Sequence, residues 1–173
     1  MNSTPRLKSL IRSLQRHIDE PSKGLPEPVF RFISGITPLV NVDLLIQDEN
    51  RKTLLTWRDD SIYGAGWHVP GGILRFKETF ENRIREVARN ELGAEVSTDG
   101  MPVAINQAID PSRDIRGHHI SLLFKCTLLS GPAEDLQCRC DLPKANEWMW
   151  HNKSPKNLLK IQRVYSRFID KHH

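Results

Sequence analysis

Apolar residues recur along this chain with two periods. Leu7, Leu10, Ile11, Leu14 and Ile18 return every three or four positions, and Arg6, Lys8, Arg12 and Arg16 mostly take the other side. That spacing predicts an amphipathic helix over 5–19, with Pro5 suited to its first position. Pro21, Gly24, Pro26 and Pro28 predict a breaker-rich connection. Residues 37–46 and 53–58 are dense apolar, β-prone runs flanking Asp48-Glu49-Asn50-Arg51, which reads as a hairpin connection. A short strand over 67–69 ends at Pro70-Gly71-Gly72. Helical spacing returns over 79–92 and stops at Gly93, the position where helices end in a left-handed residue. Strands are predicted around 102–109 and 118–129, separated by a turn-rich gap at 110–117, and a last short strand over 147–150. Residues 156–171 predict a final helix with Ser154 as N-cap. Its apolar set is Leu158, Leu159, Ile161, Val164, Tyr165, Phe168 and Ile169. The order β-β-β-α-β-β-β-α, without internal repeat, predicts an α/β or α+β sandwich. Residues 1–28 read as a helical extension and linker, and 29–173 as one domain that includes the C-terminal helix. Packing of the first helix on its own domain is the expectation, ahead of a partner-binding role.

Composition narrows the class. The chain has 173 residues, 38% hydrophobic and 27% charged, enough for one domain with a sizeable core and unlike a disordered or collagen-like chain. No apolar run approaches the ~20 residues of a membrane span. The first 24 residues lack the unbroken apolar core of a signal peptide. Three cysteines (Cys126, Cys138, Cys140) are too few and too late for a disulfide framework, so a reducing, cytoplasmic setting is expected. A net charge of +4 and a pI of 9.1 invite a nucleic-acid partner. Residues 1–24 and 151–173 together hold +8, however, and residues 25–150 hold −4. The basic character belongs to the ends, so a nucleic-acid partner for the core is not expected, nor is a membrane.

The chemistry concentrates between Gly66 and Val96. On a helical wheel with Ile84 at zero, Phe80, Val87 and Ala88 form the core stripe, and Glu91 falls about −20° from its centre. A carboxylate on a buried face is costly without a compensating cation or donors, and the last helical turn opposes it further. The preceding Gly71 and Gly72 allow backbone to approach a ligand closely. A glycine carbonyl with a glutamate is all-oxygen ligation, suited to Mg²⁺, or Mn²⁺ in its place.

These residues resemble the Nudix hydrolases. Gly72, Glu78, Glu91 and Gly93 stand at the intervals of the Nudix box, G-x5-E-x7-R-E-U-x-E-E-x-G-U, with Ala94 at the final aliphatic. The lead-in Gly66-Trp67-His68-Val69-Pro70-Gly71-Gly72 is similar to the family's G-x-W-x-x-P-G-G. The resemblance implies a Nudix-type α/β/α sandwich with a mixed central sheet over residues 35–150, and Mg²⁺-dependent hydrolysis of a nucleoside diphosphate linked to another group. The consensus Arg is Glu86 here, the Glu after it is Val87, and the first Glu of the pair is Asn90. One metal is therefore expected, held by Glu91 and a Gly71 or Gly72 carbonyl.

The reduced box is similar to that of the GDP-mannose mannosyl hydrolase branch, which implies a nucleotide-sugar substrate and release of the nucleoside diphosphate by attack at the sugar carbon. Thr37-Pro38-Leu39-Val40-Asn41-Val42-Asp43 resembles that branch's first strand, and Asp43 would orient substrate. Arg58 corresponds to its leaving-group arginine. The branch's Arg after Gly-Gly is Ile73 here, and Arg75 is the nearest substitute. Its histidine-led strand matches His118-His119-Ile120-Ser121-Leu122-Leu123-Phe124, favouring His118 as base with His119 as the alternative. Enzymes of the branch are often homodimers. Arg58 as a solvated strand-end charge, Asp43 as an edge polar residue and Glu78 as mere support for the helix start remain open. So do ordinary pyrophosphate cleavage at phosphorus and a nucleotide-binding module without turnover. Cys138-x-Cys140 with His151 lacks a fourth ligand at usual zinc spacing and reads as two loop thiols.

Overall fold

The computed structural model describes residues 4–170. Two sheets and one long helix organise the chain. The first sheet runs β4-β1-β6-β5, with β1 (Leu39–Ile46) parallel to β6 (His118–Leu128). Its outer strands β4 (Gly71–Ile73) and β5 (Val96–Ile109) are antiparallel to their neighbours, so the sheet is mixed. The second sheet, β3-β2-β7, is wholly antiparallel and comprises β3 (Gly64–His68), β2 (Thr53–Asp60) and β7 (Trp148–His151).

Helix α3 (Phe80–Leu92) forms where the wheel placed it. Thr79 caps its start by accepting the Asn82 N–H, and Gly93 ends it at φ 60. Its face of Ile84, Val87, Ala88 and Leu92 packs on Val42, Leu44, Phe124 and Cys126 of the mixed sheet. A second core joins the opposite face of that sheet to the second sheet through Leu45, Leu123, Leu55 and Trp67. Alternation along β1 and β6 therefore sends even-numbered residues toward α3 and odd-numbered ones toward the other sheet.

Several expectations are corrected. The predicted connection ends in a helix that was not expected, α2 (Glu27–Ser34), which tolerates Pro28 because the first turn needs no N–H there. Gly71 and Gly72 are not a free turn but lie in β4, paired with Asp43 and Val42. Helix α1 (Thr4–Gln15) forms but does not pack on the domain: it buries no residue, and Leu7, Leu10, Ile11 and Leu14 are all exposed. The helix expected over 156–171 is replaced by an extended stretch, a 3-10 helix (Lys160–Tyr165) and the short α4 (Ser166–Ile169). Asn157 and Leu159 exchange backbone hydrogen bonds with Trp67, and that pairing overrides the helical pattern. Ser154 is no cap, since its own N–H donates to Asp170; Lys171 lies outside the described residues. Among the described residues, no helix is long and apolar enough to cross a membrane.

Candidate active site

The odd-numbered face of β1 and β6 and the even-numbered face of β5 meet over a cavity of about 150 Å³. Asn41 and Asp43 enter it from β1, His119 and Ser121 from β6, and Asn106 and Ala108 from β5. Asp43 is 3% exposed and accepts the Tyr165 O–H at 2.5 Å. Burial pushes its carboxyl up to about 6, against the pull of Tyr165, Ser121 and Arg58. Tyr165 belongs to the 3-10 segment, so the C-terminal stretch closes one wall.

Glu91 comes from the end of α3 to the Gly71 edge of this cavity without lining it. Its Oε1 accepts the Gly71 N–H at 3.1 Å, and its Oε2 accepts the Thr56 hydroxyl at 2.9 Å. Burial raises it to about 7, opposed by Gly71, Thr56 and Arg58 and reinforced by the charge of Asp43. Gly71 stands between the two acids. A Cβ there would lie 2.2 Å from Asp43 Oδ1, so only glycine lets the backbone pass. His68 supports Thr56: its Nε2 lies 3.1 Å from Thr56 Oγ1, and its Nδ1 2.7 Å from the Val69 carbonyl. Burial holds this imidazole neutral, down to about 3.

The residues fit a divalent cation. Asp43 is buried, Glu91 is partly buried, and the charge of Asp43 disfavours the ionisation of Glu91, which leaves a need for positive charge. Hard carboxylate and carbonyl donors suit Mg²⁺ or Mn²⁺. Val87, where the family pattern has a carboxylate, is 3% exposed in the core, and Glu86 faces outward to pair with Arg89.

Three guanidinium groups gather around Tyr63, and two of them, Arg58 and Arg116, line the cavity with Asp43. Arg58, Arg113 and Arg116 lie 5.4, 5.0 and 5.5 Å from the centre of the Tyr63 ring. Arg113 also donates to the Ile62 carbonyl, and Arg58 lies 3.5 Å from Asp60. Arg116 Nε is buried with no hydrogen-bond partner among the described residues, and its backbone sits at φ 55. Arg116, Tyr63 and His119 also line a neighbouring cavity of about 620 Å³ with Arg113 and Lys160. This arrangement can bind a polyanion next to a metal-competent acid pair.

The other expected residues divide. His119 points into the cavity with its Nε2 3.2 Å from the Tyr63 hydroxyl; burial, then Arg116, lowers it to about 4. His118, one residue earlier, takes the opposite face and meets Gln107 at 3.0 Å. Arg75 is exposed on the far side of β4 and does not line the cavity. Glu78 does more than support the start of α3: it binds Arg83 through two bonds of 2.8 and 2.6 Å, both side chains buried. Arg83 thus supplies the cation missing at Glu86. His151 is not brought to Cys138 and Cys140; its ring packs edge-on against Trp67. Sequence reasoning missed Thr56, His68, Tyr63, Arg83, Arg113, Arg116 and Tyr165. Thr56, a polar residue in the apolar run Leu54-Leu55-Thr56-Trp57, was the one with a local signal.

No family model matches the sequence. The chain is 32% identical over 114 residues to the low-salt glycan biosynthesis protein Agl8 of Haloferax volcanii, spanning 64% of this chain and 72% of that protein. It is 26% identical over 132 residues to the ADP-ribose pyrophosphatase of Methanocaldococcus jannaschii, spanning 76% and 73%. Its fold matches that of the MutT Nudix hydrolase of Burkholderia pseudomallei with a TM-score of 0.59 at 17% identity, over 77% of this chain and 98% of that one. With the Gly72-to-Gly93 spacing folded as strand, capped helix and inward Glu91, these likenesses show that the chain belongs to the Nudix hydrolase family.

Proposed function

We propose that this chain is a Mg²⁺-dependent hydrolase of a nucleoside diphosphate joined to a sugar, with GDP-mannose the first compound to assay. The observation that carries the reading is the convergence of Asp43 and Glu91 on Gly71 beside Arg58 and Arg116, with Arg113 on the other side of Tyr63. The Haloferax relative is described as a glycan biosynthesis protein, which favours a nucleotide sugar over other diphosphates. A cytoplasmic location and a homodimer belong to the same proposal.

Glu91 with a Gly71 or Gly72 carbonyl would hold the metal, which supplies charge neutralisation on the departing diphosphate. Arg58, Arg113 and Arg116 would bind that diphosphate and stabilise the charge it gains. His119, rather than His118, is assigned as the proton acceptor because it lines the cavity and is neutral. Water oxygen bonds to the sugar carbon, the carbon–oxygen bond to phosphate breaks, its electron pair leaves with the nucleoside diphosphate, and the water proton passes to His119. Asp43, held by Tyr165, would orient the sugar. Arg75 has no part in this scheme.

A panel of nucleotide sugars assayed with and without Mg²⁺ tests the reading. The expected result is Mg²⁺-dependent release of nucleoside diphosphate, abolished by Glu91→Gln. Binding without turnover across the panel would make the chain a nucleotide-binding module instead. The Methanocaldococcus relative favours a second reading, cleavage at phosphorus. Reaction in ¹⁸O-water separates the two: label in the sugar supports carbon attack, and label in phosphate supports the pyrophosphatase.

A further inference from the structure

We propose that Cys138, Cys140 and Glu147 form a binding site for a thiophilic divalent cation, Zn²⁺ foremost. One ligand atom from each residue lies within 4.8 Å of the others. Around a tetrahedral ion with bonds of about 2.0–2.3 Å the ligand atoms stand roughly 3.3–3.8 Å apart, so a small inward turn of these side chains closes them on one ion. Two thiolates and one carboxylate favour Zn²⁺ over Mg²⁺, the reverse of the oxygen donors at Glu91. None of the three lines the cavity at Asp43, so this inference does not rest on the proposed hydrolase activity.

The scaffold holds both ends of the loop. Cys138 is 5% exposed, and its N–H donates to the Trp148 carbonyl at 2.9 Å. Gln137 bridges to Trp148 beside it. Across the loop, the Glu147 carbonyl accepts the Trp57 N–H at 2.7 Å, and its carboxylate accepts the Lys144 N–H at 2.9 Å. Asn146, at φ 71, turns the chain back so that Glu147 faces the cysteines. Cys140 is exposed and gives the ion a way in. Three protein ligands leave a fourth position for water.

A dication would take the three ligand atoms onto one centre. Without it the thiols use local acceptors, Cys138 donating to the Cys140 carbonyl and Cys140 to the Leu142 carbonyl. Metal binding breaks those two bonds, forms two metal–sulfur bonds and one metal–oxygen bond, and releases two thiol protons to solvent.

The test uses the full chain, reduced and stripped with a chelator, then titrated with Zn²⁺ against a chromophoric competitor and separately with Co²⁺. The expected result is one Zn²⁺ bound per chain through thiolates, a thiolate-to-Co²⁺ charge-transfer band, and a Zn²⁺-dependent rise in unfolding temperature. Cys140→Ser, at an exposed position that leaves the core intact, loses both the band and the Zn²⁺ stabilisation. Glu147→Gln weakens Zn²⁺ binding, and Glu91→Gln leaves the band unchanged. Absence of the band in the reduced wild-type chain, or a Cys140→Ser chain that binds Zn²⁺ as tightly as wild type, overturns the proposal.

Discussion

Asp43 is an acid that folding has withdrawn from water, and Glu91, partly withdrawn, is set against the same glycine. Glu91 rises from an ordinary 4.5 to about 7. An acid whose folded pKa is raised contributes stability that is present below the unfolded value and lost as pH climbs through the folded one. His68, His119 and His151, held neutral by burial, add the opposite slope below their ordinary 6.5. The difference between wild type and Glu91→Gln isolates the acid. In metal-free protein, wild type should lose roughly 3 kcal/mol relative to the variant as pH rises from 4.5 through about 7. Urea unfolding at several pH values measures this, and Mg²⁺ should shrink the loss. Gly71→Ala tests the geometry: its methyl group would displace the Asp43 carboxylate, and turnover should fall about a hundredfold. Glu91 was legible in the sequence because a wheel shows a buried face directly. His119 was not separable from His118, because one residue of register decides which face a strand side chain takes. That register is set by the pairing of Leu39 with His119 across β1 and β6, a contact 80 positions apart that local pattern does not carry.

Helix α3 was the most legible element, since its cap, stripe and terminator are all local signals. Its least legible feature was the replacement of the family's arginine. Arg83 stands one turn before Glu86 and still closes on Glu78, beneath Gly72. Glu78 and Arg83 side chains are 10% and 7% exposed, so removing one partner leaves a buried charge uncompensated. Arg83→Met should cost about 3 kcal/mol by urea unfolding, and adding Glu78→Leu should recover much of it. The C-terminal segment shows the opposite case. Its apolar residues satisfy a helical pattern, yet Trp67 captures Asn157 and Leu159 as backbone partners, and Gly66 has no room for a Cβ against Leu159. Tertiary pairing outweighs the modest propensity of a short helix. The result places Tyr165 over Asp43, a contact 122 positions apart.

At the scale of the whole molecule, the net charge of +4 misdirects unless it is divided. The basic ends hold the surplus charge, and α1 buries no residue against the domain. The positive charge that faces the cavity comes from the net-acidic middle of the chain, through Arg58 and Arg116 beside Tyr63. Arg116 is the more consequential of the two, because its Nε is desolvated and lacks a partner among the described residues. A buried, unpaired donor costs stability until an anion satisfies it, so binding recovers what folding gave up. Two changes therefore have opposite consequences. Deleting residues 1–24 removes five cationic side chains but should leave both the unfolding temperature and the affinity for a nucleoside diphosphate unchanged. Arg116→Ala removes one cation, should weaken nucleoside diphosphate binding about tenfold or more, and should leave the fold as stable or more so. Calorimetric titration of both variants with GDP decides it: equal weakening by the truncation would return the anion-binding role to the basic ends.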